Sequence, residues 1–135
     1  MTPPAAPRPS AAPCRVLVAD DNPDAADSLA LFLGLLGHQT RTAYTGPDAL
    51  ATADAFAPDA VFLGLKLAGV DGVAVARELA GRPDGTRPRL LVALSGFTRD
   101  DDRKRALAAG CHHYFLKPVN PADLAALLES GCGPA

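Results

Sequence analysis

The chain has 135 residues, of which 48% are hydrophobic, and its formal net charge is −2 at pH 7. This length suits one domain with a hydrophobic core, and the lack of a basic excess argues against binding to nucleic acid. No apolar run approaches the ~20 residues that a membrane span needs, and the first thirteen residues lack the apolar segment of a secretory signal. We therefore expect a cytoplasmic protein that does not associate with membranes. The cysteines, Cys14, Cys111 and Cys132, show no C-x-x-C spacing and are predicted to be reduced thiols.

The two ends of the chain differ in composition from the rest. Residues 1–13 contain five prolines without any periodicity, which predicts a disordered leader. We expect one domain over residues 14–130 and a short tail over residues 131–135. Because this tail is too short for a further domain, the chain is expected to be either a single-domain protein or a piece of a larger one.

Five strands are predicted to alternate with five helices. The strands are short and mostly apolar, and they cover residues 15–19, 39–44, 60–63, 89–94 and 112–116. Each is followed by a helical pattern; these patterns begin near residues 23, 46, 72, 99 and 121. Asn22-Pro23 and Asn120-Pro121 are typical helix starts, and Gly37 and Gly110 are typical helix ends.

This alternation predicts an α/β fold of the flavodoxin-like, doubly wound (βα)5 type. Strand–helix–strand connections give a parallel sheet with right-handed crossovers and helices on both faces. The first, third and fourth strands are almost continuously apolar, as central strands covered on both faces must be, while the second and fifth are more polar and suit the edges. The predicted strand order is therefore 2-1-3-4-5.

Polar residues follow the strands at one edge of this sheet. Asp20 and Asp21 come after the first strand, Ser95 ends the fourth, and Lys117 follows the fifth. Gly64, at the end of the third strand, is the exception because it carries no side chain. In a parallel sheet of this order the carboxyl ends of the strands lie side by side, which is where ligands and chemistry collect.

On these residues, the chain over positions 14–128 resembles the receiver domain of two-component response regulators. That family has an acidic pair after strand 1, an aspartate ending strand 3, Ser or Thr with a small residue after strand 4, and Lys-Pro after strand 5. The matching positions here are Asp20-Asp21, Ser95-Gly96, Lys117-Pro118 and the Gly-Val-Asp-Gly run at 69–72. Tyr114 stands where the family often has its switch aromatic.

The resemblance implies a phosphoryl-transfer chemistry that this chain does not fully support. In the family, the strand 3 aspartate attacks a phosphoryl group while Mg²⁺, held by the acidic pair, neutralises its oxygens. Ser95 and Lys117 would contact phosphoryl oxygens, and Ser95 with Tyr114 would form the switch. The aspartate position is occupied by Gly64, which offers neither a nucleophile nor a metal ligand. We expect no catalytic residue and at most weak Mg²⁺ binding by Asp20 and Asp21, with no required cofactor.

The remaining charged positions have simpler interpretations. Without an aspartate at position 64, Lys117 is expected to pair with Asp20 or Asp21, since an unpaired buried charge is costly. Asp71 is predicted to cap the third helix beyond the pocket, and residues 99–105 to form a solvated helix face with i,i+4 pairs. His112 and His113 are expected to be solvent-exposed rather than metal ligands.

We therefore favour a pseudo-receiver: a non-enzymatic, phosphorylation-independent interaction module of a two-component or phosphorelay system. Its expected partner is a histidine kinase, a phosphotransfer protein or an output protein, bound through the face formed by helix 4, strand 5 and helix 5. The alternative is a phospho-accepting receiver that uses another acceptor or whose aspartate was deliberately replaced by Gly64. A flavodoxin-like cofactor enzyme shares the fold, but the acidic pair would repel a flavin phosphate, and we expect no small-molecule substrate.

Overall fold

The computed structural model describes residues 13–67, 70–83, 86–96 and 100–131, so most of the predicted leader and residues 132–135 of the predicted tail lie outside it. The strands are β1 (Arg15–Ala19), β2 (Gln39–Ala43), β3 (Ala60–Gly64), β4 (Lys66–Leu67), β5 (Val70–Asp71), β6 (Leu90–Ser95) and β7 (His113–Leu116). The helices are α1 (Pro23–Leu35), α2 (Gly46–Phe56), α3 (Gly72–Ala80), α4 (Asp100–Ala109) and α5 (Pro121–Gly131).

Five of the strands form one parallel sheet in the order β2-β1-β3-β6-β7, which is the predicted order 2-1-3-4-5. The apolar strands β1, β3 and β6 are central and the more polar β2 and β7 are the edges, as predicted. A small antiparallel hairpin of β4 and β5, which the sequence pattern did not predict, forms between β3 and α3. This hairpin carries the chain around the carboxyl end of β3.

Side chains of the central strands alternate between two apolar layers. Leu17, Val61 and Leu91 face one layer, which also contains buried residues of α2, α3 and α4. Val18 and Phe62 face the other, together with buried leucines of α1 and α5. Because strand side chains alternate with a period of two, a continuous apolar run fills both layers, which fixes the sheet between the helices.

Local signals set the helix ends. The Asn22 side chain accepts hydrogen bonds from the backbone N–H of Asp24 at 3.0 Å and of Ala25 at 3.4 Å, and Thr45 caps α2 in the same way. Gly110 ends α4 with a φ of +115°, a conformation that L side chains rarely adopt. No helix in the part of the chain that the structure describes is long and apolar enough to cross a membrane.

One cysteine prediction was wrong. Cys111 is a buried free thiol, and its burial raises the pKa of that thiol to about 11. Cys14, however, is disulfide-bonded rather than reduced. The prediction failed because it relied on C-x-x-C spacing, which this chain lacks. Cys132 lies outside the described residues.

Candidate functional site

A cleft of about 400 Å³ opens at the carboxyl edge of the sheet. It is lined by the ends of β3 and β6, the loops after β1 and β7, the β4–β5 hairpin and α4. Its polar and charged lining residues are Asp21, Lys66, Asp71, Ser95, Asp102, Arg105 and Lys117. The sheet register sets this convergence: Ala19 is opposite Leu63, Gly64 opposite Leu94, and Ser95 opposite Leu116, so the strand ends reach the cleft together.

Asp20 is buried at the base of this region, where β1 ends. It is 3% exposed, and its Oδ1 accepts a hydrogen bond from the backbone N–H of Asn22 at 3.0 Å. The Lys117 ammonium donates to the other carboxylate oxygen, Oδ2. This ion pair confirms the prediction that Lys117 pairs with one of the two aspartates, and the partner is Asp20. Asp21 is exposed and lines the cleft.

Gly64, the last residue of β3, is buried between the ends of β1 and β6. A Cβ atom built on it would lie 3.3 Å from the carbonyl oxygen of Ala19 and 3.5 Å from both Cα and Cγ of Asp20. A side chain would thus start beside the Asp20 carboxyl group. The contact with the Ala19 carbonyl is tighter than ordinary van der Waals contact, so a larger residue at this position requires that carbonyl to shift by a few tenths of an ångström.

Ser95 and Tyr114 lie on the neighbouring strands β6 and β7. Ser95 is 4% exposed, and its carbonyl oxygen accepts a hydrogen bond from the backbone N–H of Lys117 at 2.7 Å. Tyr114 is half-buried and packs against the apolar layer beneath α3 and α4. The backbone bond holds Lys117 at the mouth of the cleft, from where its side chain reaches Asp20.

An ion pair that the sequence pattern did not predict crosses the cleft. The Arg105 guanidinium on α4 donates to Asp71 at 2.7 Å, and a second contact to Asp102 measures 3.8 Å. Asp71 caps α3 as predicted, accepting from the N–H of Val73 at 2.9 Å. It does not lie beyond the pocket, however, because it lines the cleft. The predicted i,i+4 pairing of α4 is replaced at Arg105 by this bond to a residue 34 positions away.

Electrostatics at Asp71 follow from these contacts. Partial burial acts to raise the pKa of its carboxyl group, but the hydrogen bond from Val73 and the bond and charge of Arg105 outweigh burial and lower that pKa. The hydrogen bond and charge of Asp71 in turn raise the pKa of Arg105. The pair is therefore ionised under ordinary conditions and ties α3 to α4.

The site does not fit a firmly held metal ion. Mg²⁺ binds through oxygen ligands in near-ideal octahedral geometry, commonly with carboxylates. Asp20 is engaged by Lys117, and Gly64 supplies no carboxylate. Within the described residues, no group of three or more His, Cys, Asp and Glu side chains is placed to hold a metal. His112 and His113 are exposed, as predicted, and belong to no such group.

Comparisons with known proteins agree with this architecture. The chain is 36% identical over 116 residues to the transcriptional regulatory protein PrrA of Mycobacterium tuberculosis, covering 86% of this chain and 48% of PrrA, and so spans about half the length of that relative. It is 30% identical to an uncharacterized 14.6 kDa protein from the sodA1 3′ region of Leptolyngbya boryana, over 87% of this chain and 88% of that protein.

A solved structure with similar topology is the receiver domain of the sensor histidine kinase PA1611 of Pseudomonas aeruginosa PAO1. Its TM-score is 0.78 at 27% identity, covering 91% of this chain and 100% of that one, and it has a magnesium ion coordinated in its active site cleft. The family model of the response regulator receiver domain matches residues 16–129. With strand order, cleft and matched residues in agreement, this chain belongs to the response regulator receiver domain family.

Proposed function

We propose that this protein is a pseudo-receiver, a receiver domain that binds partner proteins without being phosphorylated. The observation that carries the proposal is Gly64. It stands at the carboxyl end of β3, beside Asp20 and the cleft, where the resemblance expects the phospho-accepting aspartate. Glycine has no group that can attack phosphorus, so the strand that should supply the nucleophile supplies none.

The ion pair of Asp20 with Lys117 supports the same proposal. In an active receiver, the acidic pair would hold Mg²⁺ and the lysine would contact the phosphoryl group. Here the two side chains neutralise each other, with Asp20 nearly fully buried. If Asp20 bound a metal ion, Lys117 would lose this partner. Binding of Mg²⁺ by Asp20 and Asp21 is therefore weak at most, and no cofactor is required.

Other carboxylates nearby are poor substitutes for the missing acceptor. Asp59 lies at the opposite edge of the sheet, where its Oδ2 accepts from the backbone N–H of Arg15 at 2.9 Å. Asp71 is committed to capping α3 and to Arg105. Ser95 and Tyr114 would form the switch in the family, and we propose that both stay in one arrangement here because no phosphoryl group arrives to move them.

The partner is proposed to be a protein of a two-component or phosphorelay system, bound through the face formed by α4, β7 and α5. This face exposes Leu107, which is 41% exposed, and Leu116, which is 45% exposed. Helix α4 also exposes charges of both signs, on Asp101, Arg103 and Lys104. Apolar side chains rimmed by charges are typical of protein interaction sites.

The direct test is the intact mass of the unaltered chain after incubation with acetyl phosphate and Mg²⁺. We expect no gain of one phosphoryl group. A gain would contradict the proposal and favour the alternative of a phospho-accepting receiver with a different acceptor, whose position peptide mapping would then give. The receiver domain of PA1611, which coordinates magnesium in its cleft, is the control for reagent quality.

A further inference from the structure

The disulfide bond of Cys14 has one available partner within the chain. Cys14 is disulfide-bonded, Cys111 is a free thiol, and the third and last cysteine of the sequence is Cys132. Cys14 packs in the apolar layer that contains α1 and α5, whereas Cys111 packs in the layer on the other face of the sheet. The sheet separates these two residues, which leaves Cys132. Cys132 itself lies outside the described residues.

Described residues of α5 place the end of this helix near Cys14. Leu128 is fully buried in the same apolar layer as Cys14. The charge of Glu129, the next residue, acts on the ring of His38, and Nδ1 of that ring accepts a hydrogen bond from the N–H of Cys14 at 3.0 Å. Cys132 follows directly after α5 in the sequence. The last turn of α5 therefore lies beside the start of β1, as a bond between Cys14 and Cys132 requires.

This bond would link the two ends of the domain. Because Cys14 precedes β1 and Cys132 follows α5, the bond closes nearly the whole domain into one covalent loop. In the folded state it holds the last turn of α5, and helix ends are among the parts of a protein that open most easily. The two apolar layers form without it, so we expect the domain to stay folded when the bond is broken.

We propose that the disulfide between Cys14 and Cys132 is a reversible redox switch. When oxidised, it fixes the last turn of α5 beside β1; when reduced, it releases that turn while the rest of the domain stays folded. In the cytoplasm, where the sequence predicts this protein to be, disulfides that form are usually transient or redox-sensing. Helix α5 also contributes to the face proposed for the partner, so partner binding would follow the redox state; this last consequence alone rests on the proposed function.

The switch operates by thiol–disulfide exchange with a small thiol or disulfide. In reduction, a thiolate of a small dithiol attacks the Cys132 sulfur, because Cys14 is 1% exposed. Cys14 leaves with the electron pair of the broken S–S bond and takes up a proton. The second thiolate of the reagent then displaces Cys132, which also takes up a proton, and the reagent becomes a cyclic disulfide. Oxidation reverses the change, with a small disulfide accepting the two electrons.

Cys111 takes no part in this exchange. It is buried on the other face of the sheet, and burial raises the pKa of its thiol to about 11. Since the thiolate is the reacting form, a thiol with so high a pKa is almost inert near neutral pH. Cys111 is therefore an internal control for the reactivity of the other two cysteines.

The first test counts the thiols of the full chain by mass spectrometry. The protein is equilibrated with oxidised glutathione, unfolded in denaturant and alkylated with iodoacetamide, with or without prior reduction by dithiothreitol. We expect one adduct without reduction, at Cys111, and three adducts after it. Peptide mapping of the unreduced chain should show Cys14 linked to Cys132. Three adducts without reduction, or a link between two copies of the chain, would overturn the proposal.

The second test is ¹⁵N relaxation of the full chain by NMR, with and without dithiothreitol. On reduction, the amide order parameter of Glu129 should fall from about 0.85 to below about 0.6, while that of Phe62 in β3 stays near 0.85. Cys14→Ser and Cys132→Ser should resemble the reduced chain under both conditions. Cys111→Ala is the matched control and should keep the full response.

An unchanged order parameter at Glu129 on reduction would overturn the proposal, and so would an equal fall at Phe62, which would indicate loss of the whole fold. Should a serine variant fail to fold, the unaltered chain with and without dithiothreitol still decides the question. Neither test uses a partner protein or a phosphodonor, so a failure here is distinguishable from a failure of the proposed function.

Discussion

Lys117 and Asp20, which lie 97 positions apart in the chain, form an ion pair that joins the loop after β7 to the end of β1. The Asp20 side chain is 4% exposed and that of Lys117 is 33% exposed. Loss of the ion pair is therefore more costly for the buried carboxylate than for the ammonium group, which solvent can reach. The pair spans the base of the cleft beside Gly64. Through this pair the buried Asp20 carboxylate is neutralised by a side chain of the chain itself.

Replacing Lys117 by methionine should destabilise the domain by roughly 1–3 kcal/mol, because it leaves the buried Asp20 carboxylate without its cation. Urea unfolding followed by circular dichroism measures this difference. Lys66→Met is the matched control, since Lys66 lines the same cleft from an exposed position, and its effect should stay within about 0.5 kcal/mol. Equal effects of the two substitutions would show that the ion pair does not stabilise the fold.

Gly64→Ala should be tolerated, with a change of less than about 1 kcal/mol in the free energy of unfolding. The new Cβ would lie 3.3 Å from the carbonyl oxygen of Ala19, so this carbonyl would have to shift by a few tenths of an ångström. Gly72→Ala is the contrasting case, because its Cβ would lie 2.4 Å from the carbonyl oxygen of Gly64 and 2.6 Å from Cα of Leu65. We expect a loss of about 3 kcal/mol there. A severe loss in Gly64→Ala would mean that glycine is structurally required at position 64.

The pair of Asp71 with Arg105 should contribute modestly to stability, because both side chains are about half exposed. Arg105→Gln is expected to cost about 0.5–1 kcal/mol near neutral pH. Asp71→Asn keeps a cap for α3 and should cost a similar amount, whereas Asp71→Ala also loses the cap and should cost about 1 kcal/mol more. Thermal unfolding of the three variants measures these differences.

The pH dependence of that pair has a definite sign. The pKa of Asp71 is lowered in the folded state, so its contribution is fully present above the ordinary carboxyl value and is lost as the pH falls through the folded value. In Arg105→Gln the Asp71 pKa should move upward, which an NMR titration of the Asp71 carboxyl carbon would detect. An unchanged titration would mean that the hydrogen bond from Val73 and the charge of Arg77 lower this pKa without Arg105.

Magnesium should stabilise the unaltered chain very little. Gly64→Asp would add a third carboxylate next to Asp20 and Asp21, so the variant is expected to be less stable without metal and to recover when Mg²⁺ is added. At an Mg²⁺ concentration ten times the dissociation constant, the gain would be about 1.4 kcal/mol. Thermal melts of both proteins with and without Mg²⁺ measure this, with Gly64→Asn as the uncharged control. A large Mg²⁺ effect on the unaltered chain would contradict the weak-site proposal.

Much of the fold follows from local patterns. The apolar runs of β1, β3 and β6 identify central strands, and Asn22 and Gly37 mark helix ends, because these signals depend on neighbouring residues alone. The pairing of Lys117 with an acidic residue was also predictable once the strand ends were placed side by side, since a buried charge needs a partner.

The features that were missed depend on contacts between distant residues. Arg105 meets Asp71 because α4 packs beside α3, and no spacing in the sequence encodes that approach. His38 accepts a backbone hydrogen bond from Cys14 and His112 accepts one from Leu91, and predicting either contact requires the register of the sheet. The only available signal was their shared position immediately before the two polar edge strands.

We propose that Gly64 alone prevents phosphorylation at a cleft that otherwise resembles a receiver site. The most direct measurement is intact mass after incubation with acetyl phosphate and Mg²⁺, run in parallel on the unaltered chain, Gly64→Asp and Gly64→Asn. We predict that only Gly64→Asp gains one phosphoryl group, since it alone has a carboxylate at the end of β3. A phosphoryl gain on the unaltered chain, or none on Gly64→Asp, would overturn this proposal.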